Sequence, residues 1–492
     1  MSTTLTTGRP WRVILAFSVP LLIGNIVQQL YQFTDAVVVG RHLGVNSLAA
    51  VGATGSLIFL LMGFAWGMSS GFAIPTAQAF GAKDAGGVRR SVATGTLLTG
   101  AASILLTIAG PLVAEPLLVV MQTPPELLAE ATVFTQVTLL TGSAVMFFNY
   151  LAAIIRAIGD SRTPLIFLIV SCALNVGLVI LLVGTLDWGV AGAAWATAIA
   201  QAISVLACLE FARRRLPALH VHRSDWRISR ADAKEHLRLG LPMGFQASII
   251  AIGLLIVQVA LNTIGPDAVA AYTVFARIGS LASALLASLG LATSMYVAQN
   301  LGARRPDRIR RGVTQAIWMS IGASVLLGAL MIALGEPVVR MFVGDASEKV
   351  VEMAHLMLIV NGLTYALLGV LFVLRGALQG LGQALIPTVT GVIELVMRVA
   401  AAIVLGQLWG FIGVALSDPL AWLGAVVILV PAYISAHRRL KALPVNPEFA
   451  TETSAMAVVG PHEAANAVDL VVTGSIPVVV SKQKRRKART GN

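Results

Sequence analysis

The chain has 492 residues, of which 57% are hydrophobic and 12% charged, and its mean hydropathy is +0.83; ordinary soluble domains carry about 25% charged residues, so a soluble globular protein is excluded. The formal charge of +12 would suit a polyanion, but the basic residues gather in alternate loops, which is the pattern of membrane orientation, and no nucleic-acid partner is expected. The two cysteines, Cys172 and Cys208, lie in apolar stretches and read as small core residues, with neither a disulfide nor a metal site.

Apolar runs of spanning length recur along the chain without the alternation of outer-membrane strands, which makes the spans helical. Twelve are predicted: 11–41, 48–78, 88–113, 127–155, 163–185 and 189–211, then, after a basic linker, 240–262, 268–298, 310–334, 348–376, 386–406 and 410–436. The fold class is therefore all-α, a twelve-helix membrane protein. Its first apolar segment continues into a full span with no small-residue cleavage site, so it reads as a retained start-transfer helix. Arg9, Arg12, Lys83, Arg89, Arg90, Arg156, Arg162, the 213–238 stretch, 304–311 and 438–441 carry the positive loops. The positive-inside rule then places both termini in the cytoplasm of a multi-pass protein of the plasma (inner) membrane.

The two sets of six match. AQAFGAKDAGGVRR (77–90) aligns with AQNLGARRPDRIRR (298–311), Pro20 with Pro242, Pro164 with Pro387, and GVAGAAWAT (189–197) with GFIGVALSD (410–418), at offsets that stay within a residue or two. Both halves begin on the same side, so the repeats are parallel and build two six-helix lobes with a cavity between them, a plan suited to rocking around a central site. The expected organisation is an N-lobe at 1–212, a basic cytoplasmic linker at 213–238, a C-lobe at 239–441 and a disordered basic tail at 442–492. Gly63, Gly67 and Gly71 leave a flat stripe on the second span where another helix can approach.

Asp35 is the polar residue that most needs a reason. It lies about 22 Å beyond Pro20 along one helix at roughly 1.5 Å per residue, well inside the membrane. A charge at that depth costs roughly 2.5 to 3.5 kcal/mol on insertion scales, so it faces a protein interior or a wet cavity. No basic residue on its own helix lies within a turn or two, and its neighbours Gln28, Gln29, Tyr31, Gln32 and Thr34 are polar but neutral. That makes it a protonatable group, and Pro20, which removes a helical hydrogen bond, makes its helix bendable. Deeper in the chain, Glu394 and Arg398 are spaced i, i+4 and are expected to face one another as an internal ion pair. With Asp418, they form a possible second ion or ion-pair site. Arg277 and His355 also lie in spans, and a lone membrane histidine is more often a packing residue than a relay. Adaptable Met and aromatic side chains suit varied ligands, so Gln32, Trp66, Met68, Met146, Phe147, Tyr150, Phe275, Met295 and Tyr296 are candidates for a substrate cavity.

VPLLIGNIVQQLYQFTDAVVVGRHLG in the first span, AQAFGA and AQNLGA after the second and eighth, GDSRTP (159–164) and GVAGAAWAT in the sixth together resemble the multidrug and toxic compound extrusion family, in particular its DNA-damage-inducible, proton-coupled branch, within the multidrug/oligosaccharidyl-lipid/polysaccharide flippase superfamily. The resemblance runs from Trp11 to about Lys441. It implies export of small hydrophobic, often cationic compounds against H⁺ or Na⁺, with no cofactor. It also assigns Pro20 as a hinge and Asp35, Asn175 and Thr197 to a cation-coupling site. Where similar proteins have a further aspartate four residues after the asparagine, this chain has Val179. A hard Na⁺ ion prefers several oxygen donors while a proton needs one carboxylate, so the loss shifts the expectation from Na⁺ at Asp35 toward H⁺. A monomer is expected. The alternatives are a lipid-linked oligosaccharide or lipid-precursor flippase of the same superfamily, which would need a more cationic cavity, and an intramembrane enzyme, for which no zinc motif, paired catalytic carboxylates or phosphate-binding loop is found.

Overall fold

The computed structural model describes residues 4–121, 123–343 and 348–444. Eleven of its helices are long and apolar enough to cross a membrane, or twelve with one bent pair counted as a span. In chain order they are α1 (Pro10–Leu43), α2 (Val45–Gly81), α3 (Ala85–Val120), the bent pair α4 (Pro125–Leu140) and α5 (Gly142–Ala157), α6 (Arg162–Val179), α7 (Gly189–Arg215), α8 (Arg230–Ile264), α9 (Pro266–Gly302), α10 (Pro306–Val343), α11 (Glu348–Gly380), α12 (Leu385–Ala400), the short α13 (Gly406–Trp409) and α14 (Phe411–Ala415), and α15 (Ser417–Ala442). Most helices run a few residues past the predicted windows, and α8 begins within the linker. The predicted tail lies almost wholly outside the described residues.

The fourth span is not one straight helix. It bends by 47° between α4 and α5, where the Thr141 hydroxyl donates back to Val137 O at 2.7 Å next to Gly142, a pairing that loosens the helical ladder. Its counterpart α11 runs unbroken.

The sequence repeat is written into the backbone. Positive φ recurs at Gly44 and Gly265, Lys83 and Arg304, Gly159 and Gly382, Gly189 and Gly410. Both α6 and α12 also run into π-helical turns, Ile180–Thr185 and Ala401–Leu405. Repeat-related positions therefore occupy equivalent places in the two lobes.

The lobes meet along α2 and α8, and the contact is graded. A Cβ on Gly71 would lie 2.6 Å from Gly240 Cα, one on Gly63 only 3.8 Å from Ala247, and those on Gly55 and Gly52 would meet nothing within 4 Å. The glycine stripe thus brings two backbones together near the end where α1 begins and α15 finishes, and the lobes part toward the other end. The chain start straps this seam. Leu5 is buried in a core shared by Ala73 and Ile74 of α2 and Met295 of α9; its N–H donates to Gln299 Oε1 at 2.9 Å and its carbonyl accepts from Asn300 Nδ2 at 3.1 Å. Gln299 in turn donates to Ala157 O of the other lobe at 2.7 Å. The AQNLGA motif therefore works as an inter-lobe lock.

Candidate functional site

In the N-lobe, α1, α6 and α7 bring together three polar residues that the resemblance singles out. Asn175 Nδ2 donates to Thr197 Oγ1 at 3.1 Å, and the Thr197 hydroxyl donates back to Ala193 O at 3.3 Å. With that proton used, the Tyr31 hydroxyl, 2.8 Å from Thr197 Oγ1, is the donor of the bond they share. Asp35 lies one turn beyond Tyr31 on α1, on the same side. Its Oδ1 is buried and has no hydrogen-bond partner, and the same holds for Asn175 Oδ1 and for Oε1 of Gln201, one turn beyond Thr197. Three oxygens from three helices are thus left without a donor, in a setting where an unmet buried acceptor costs about 1 to 3 kcal/mol.

One turn further along each helix the character changes. Val39, Val179, Val183, Ala193 and Ala196 form an apolar cluster. Position 179, where the resemblance implies an acid, is 1% exposed and filled by packing. Asp35 therefore stands between an apolar layer and a neutral polar one. Pro20 is buried in a helix that continues through it; lacking an N–H, it leaves the Ala16 carbonyl without its helical donor.

The C-lobe corrects the expected pairing of Glu394 with Arg398. Glu394 is bound to Arg375 of α11, and Arg398 reaches forward to Asp418 of α15, Nε to Oδ1 at 2.8 Å. Two acids and two guanidiniums are matched across three helices. The i, i+4 spacing allowed the local pair, but each partner gains a better-aligned one from another helix. Arg375 was missed, although a basic residue inside an apolar helix is itself a signal of an internal partner. The neighbouring amides Gln379 and Gln246 are joined at 3.1 Å, with Gln246 also donating to Pro387 O. His355 is held at Ile332 O, which accounts for it as a packing residue.

The proposed cavity lining is largely overturned. Met68, Met146 and Tyr150 belong to the N-lobe core, Phe275, Met295 and Tyr296 to the core that fills the C-lobe and crosses the seam, and Tyr150 donates to Val92 O at 2.8 Å. Their large apolar surfaces are spent on core packing. Gln32 and Trp66 are exposed.

A family model described as MatE matches residues 20–181 and 242–410, both halves of the repeat. The chain belongs to the MatE family. Its curated relatives include a probable multidrug resistance protein, YoeA of Bacillus subtilis, 28% identical over 78% of this chain and 84% of the relative, and the multidrug export protein MepA of Staphylococcus aureus, 24% identical over 85% and 93%. Among solved structures, an outward-facing MATE multidrug resistance transporter aligns with a TM-score of 0.82 at 23% identity, covering 90% of this MatE chain and 99% of the other. A MATE structure in complex with MaL6 aligns at 0.83, again with 23% identity. At that identity the likeness carries the fold, two six-span lobes, and the residues of the MatE site are argued from their own geometry.

Proposed function

We propose that the protein is a secondary active multidrug efflux transporter that exports small hydrophobic, often cationic compounds in exchange for protons, acting as a monomer in the plasma membrane with both termini in the cytoplasm. The observation that carries this reading is Asp35, a half-buried carboxylate whose buried Oδ1 has no partner among neutral groups. A hard cation would want the oxygen donors that Val179 withholds, whereas a proton needs the carboxylate alone. The names of YoeA and MepA support drugs as the exported class.

With the basic loops in the cytoplasm, the splayed end of the lobes faces outward. In that state Asp35 takes a proton from the outside, and its neutral form favours release of the exported compound. After the lobes rock, with α1 bending at Pro20, Asp35 loses the proton to the cytoplasm and the site accepts new cargo. The two ligands work through their different affinities for the two states, as linkage requires. A lipid-precursor flippase is the weaker reading, because Arg375 and Arg398 are already neutralised by Glu394 and Asp418 and do not offer their charge to a phosphate.

The test is ethidium transport in proteoliposomes under imposed pH or Na⁺ gradients. Wild type is expected to follow the pH gradient and ignore Na⁺, and Asp35→Asn to lose the pH dependence. An Asp35→Asn variant with wild-type pH-driven transport would refute the assignment.

A further inference from the structure

The repeat allows the two lobes to be compared position by position. By the offsets of 221 to 223 that relate the halves, Tyr31 corresponds to Gly253, Asp35 to Val257, Asn175 to Arg398 and Thr197 to Asp418. The C-lobe thus holds a second copy of the N-lobe site with altered chemistry. Where Asn175 donates to Thr197 at 3.1 Å, Arg398 donates to Asp418 at 2.8 Å. In place of the Tyr31 ring there is the bare backbone of Gly253, and the Arg398 guanidinium uses that room: a Cβ on Gly253 would lie 2.8 Å from its Nη1. Opposite the acid of α1 stands Val257, buried.

A guanidinium stays protonated at any physiological pH, so Arg398 brings a permanent positive charge to the place that the other lobe leaves open for a mobile one. Its partner Asp418 is matched by it, Glu394 is matched by Arg375, and the four charges sum to zero. Tyr272 of α9 and Tyr365 of α11 are the other titratable groups that face Asp418; Asp35 is faced by Tyr31, which Cys172 faces in turn.

We propose that Arg398 is a tethered counter-cation that fills the C-lobe copy of the coupling site, so that a single ion, carried at Asp35, moves in each transport cycle. The proposal rests on the reading of Asp35 as the coupling group. Arg398 touches no cargo in this scheme; it is a positioning residue that sets the ion count by keeping Asp418 occupied. Exchange of one monovalent cation for one proton then moves no net charge.

The experiment measures the ethidium ratio at which net flux stops in proteoliposomes, as a function of imposed pH difference and of voltage set by a potassium gradient with valinomycin. Wild type is expected to change that ratio tenfold per pH unit and to ignore voltage. Arg398→Asn, which copies Asn175, frees Asp418 to take a second proton. It is expected to change the ratio a hundredfold per pH unit and to respond to voltage by tenfold per about 59 mV, the value for one net charge. If Arg398→Asn folds and keeps the wild-type slope without voltage response, or if wild type itself responds to voltage, the proposal is overturned.

A lone buried carboxylate can prevent folding, so Arg398→Asn/Asp418→Thr, the neutral N-lobe pair, is measured beside it. This double variant is expected to keep the wild-type slope, and loss of pH-driven accumulation in a folded double variant would show that the pair carries part of the coupling and overturn the proposal. Asp35→Asn separates the two claims: coupling that survives it defeats the reading of Asp35, whereas coupling lost there with a wild-type Arg398→Asn defeats this inference alone.

Discussion

Gly71→Ala changes one hydrogen into a methyl group in the close-packed part of the α2–α8 seam. The new Cβ would lie 2.6 Å from Gly240 Cα and 2.8 Å from both Gly240 N and Leu239 O. All three are backbone atoms, so no side chain can swing away, and α8 must retreat by about 1 Å to restore ordinary contact. Overpacking of this kind costs about 1 to 3 kcal/mol. The cost falls on the state in which the two helices touch and is relieved when the lobes separate at this end. It therefore shifts the balance between the two states by roughly 5- to 150-fold. Spin labels at Arg213 and Arg439, exposed near the repeat-equivalent ends of α7 and α15, report it: the distance distribution is expected to gain a longer component in Gly71→Ala. Gly52→Ala is the control, since a Cβ there meets nothing within 4 Å. Unchanged distances in Gly71→Ala together with a lowered melting temperature would mean that the clash damages the fold instead of the seam, and would refute the reasoning.

The strap makes a second claim on the same equilibrium. Leu5→Ala empties a buried site in a core drawn from both lobes, and should weaken the closed seam by about 2 to 5 kcal/mol, read as the same added component with the same labels. Tyr31→Phe removes the donor to Thr197; a loss of about 0.5 to 1.5 kcal/mol is expected, seen as a modest drop in thermal stability with pH-driven ethidium transport retained. In the linker, the His222 N–H and then the Arg89 guanidinium hold the Asp225 carboxyl below its usual range. A lowered value stabilises the docked linker above the usual carboxylate range and loses that effect as pH falls through the lowered value. Protease cleavage between residues 217 and 229 should therefore be slow at neutral pH, faster at pH values below about 4, and fast at all pH values in Asp225→Asn.

Much of this protein is legible from its residues in order. Twelve spans follow from hydropathy, because a bilayer of about 30 Å demands about 20 apolar residues whatever the tertiary fold. The two-lobe plan follows from the repeat, since equivalent sequence builds equivalent backbone, down to the paired positive φ angles at Lys83 and Arg304. Asp35 stood out for the same kind of reason: a carboxylate in oil is conspicuous wherever its helix goes. The glycine stripe announced a close approach but not its partner.

What tertiary structure alone decided was which side chains meet. Glu394 could reach Arg398 within its own helix, yet packing offered it Arg375 and gave Arg398 to Asp418. Met146 and Tyr150 have the composition of a drug pocket and are core instead, because an aromatic surface has the same chemistry whichever way its helix turns. Helical periodicity fixes neighbours along one helix, whereas the rotation of each helix about its axis is set by all the others at once. A membrane sequence therefore tells which groups are buried, and only the assembled bundle tells which are left unpaired.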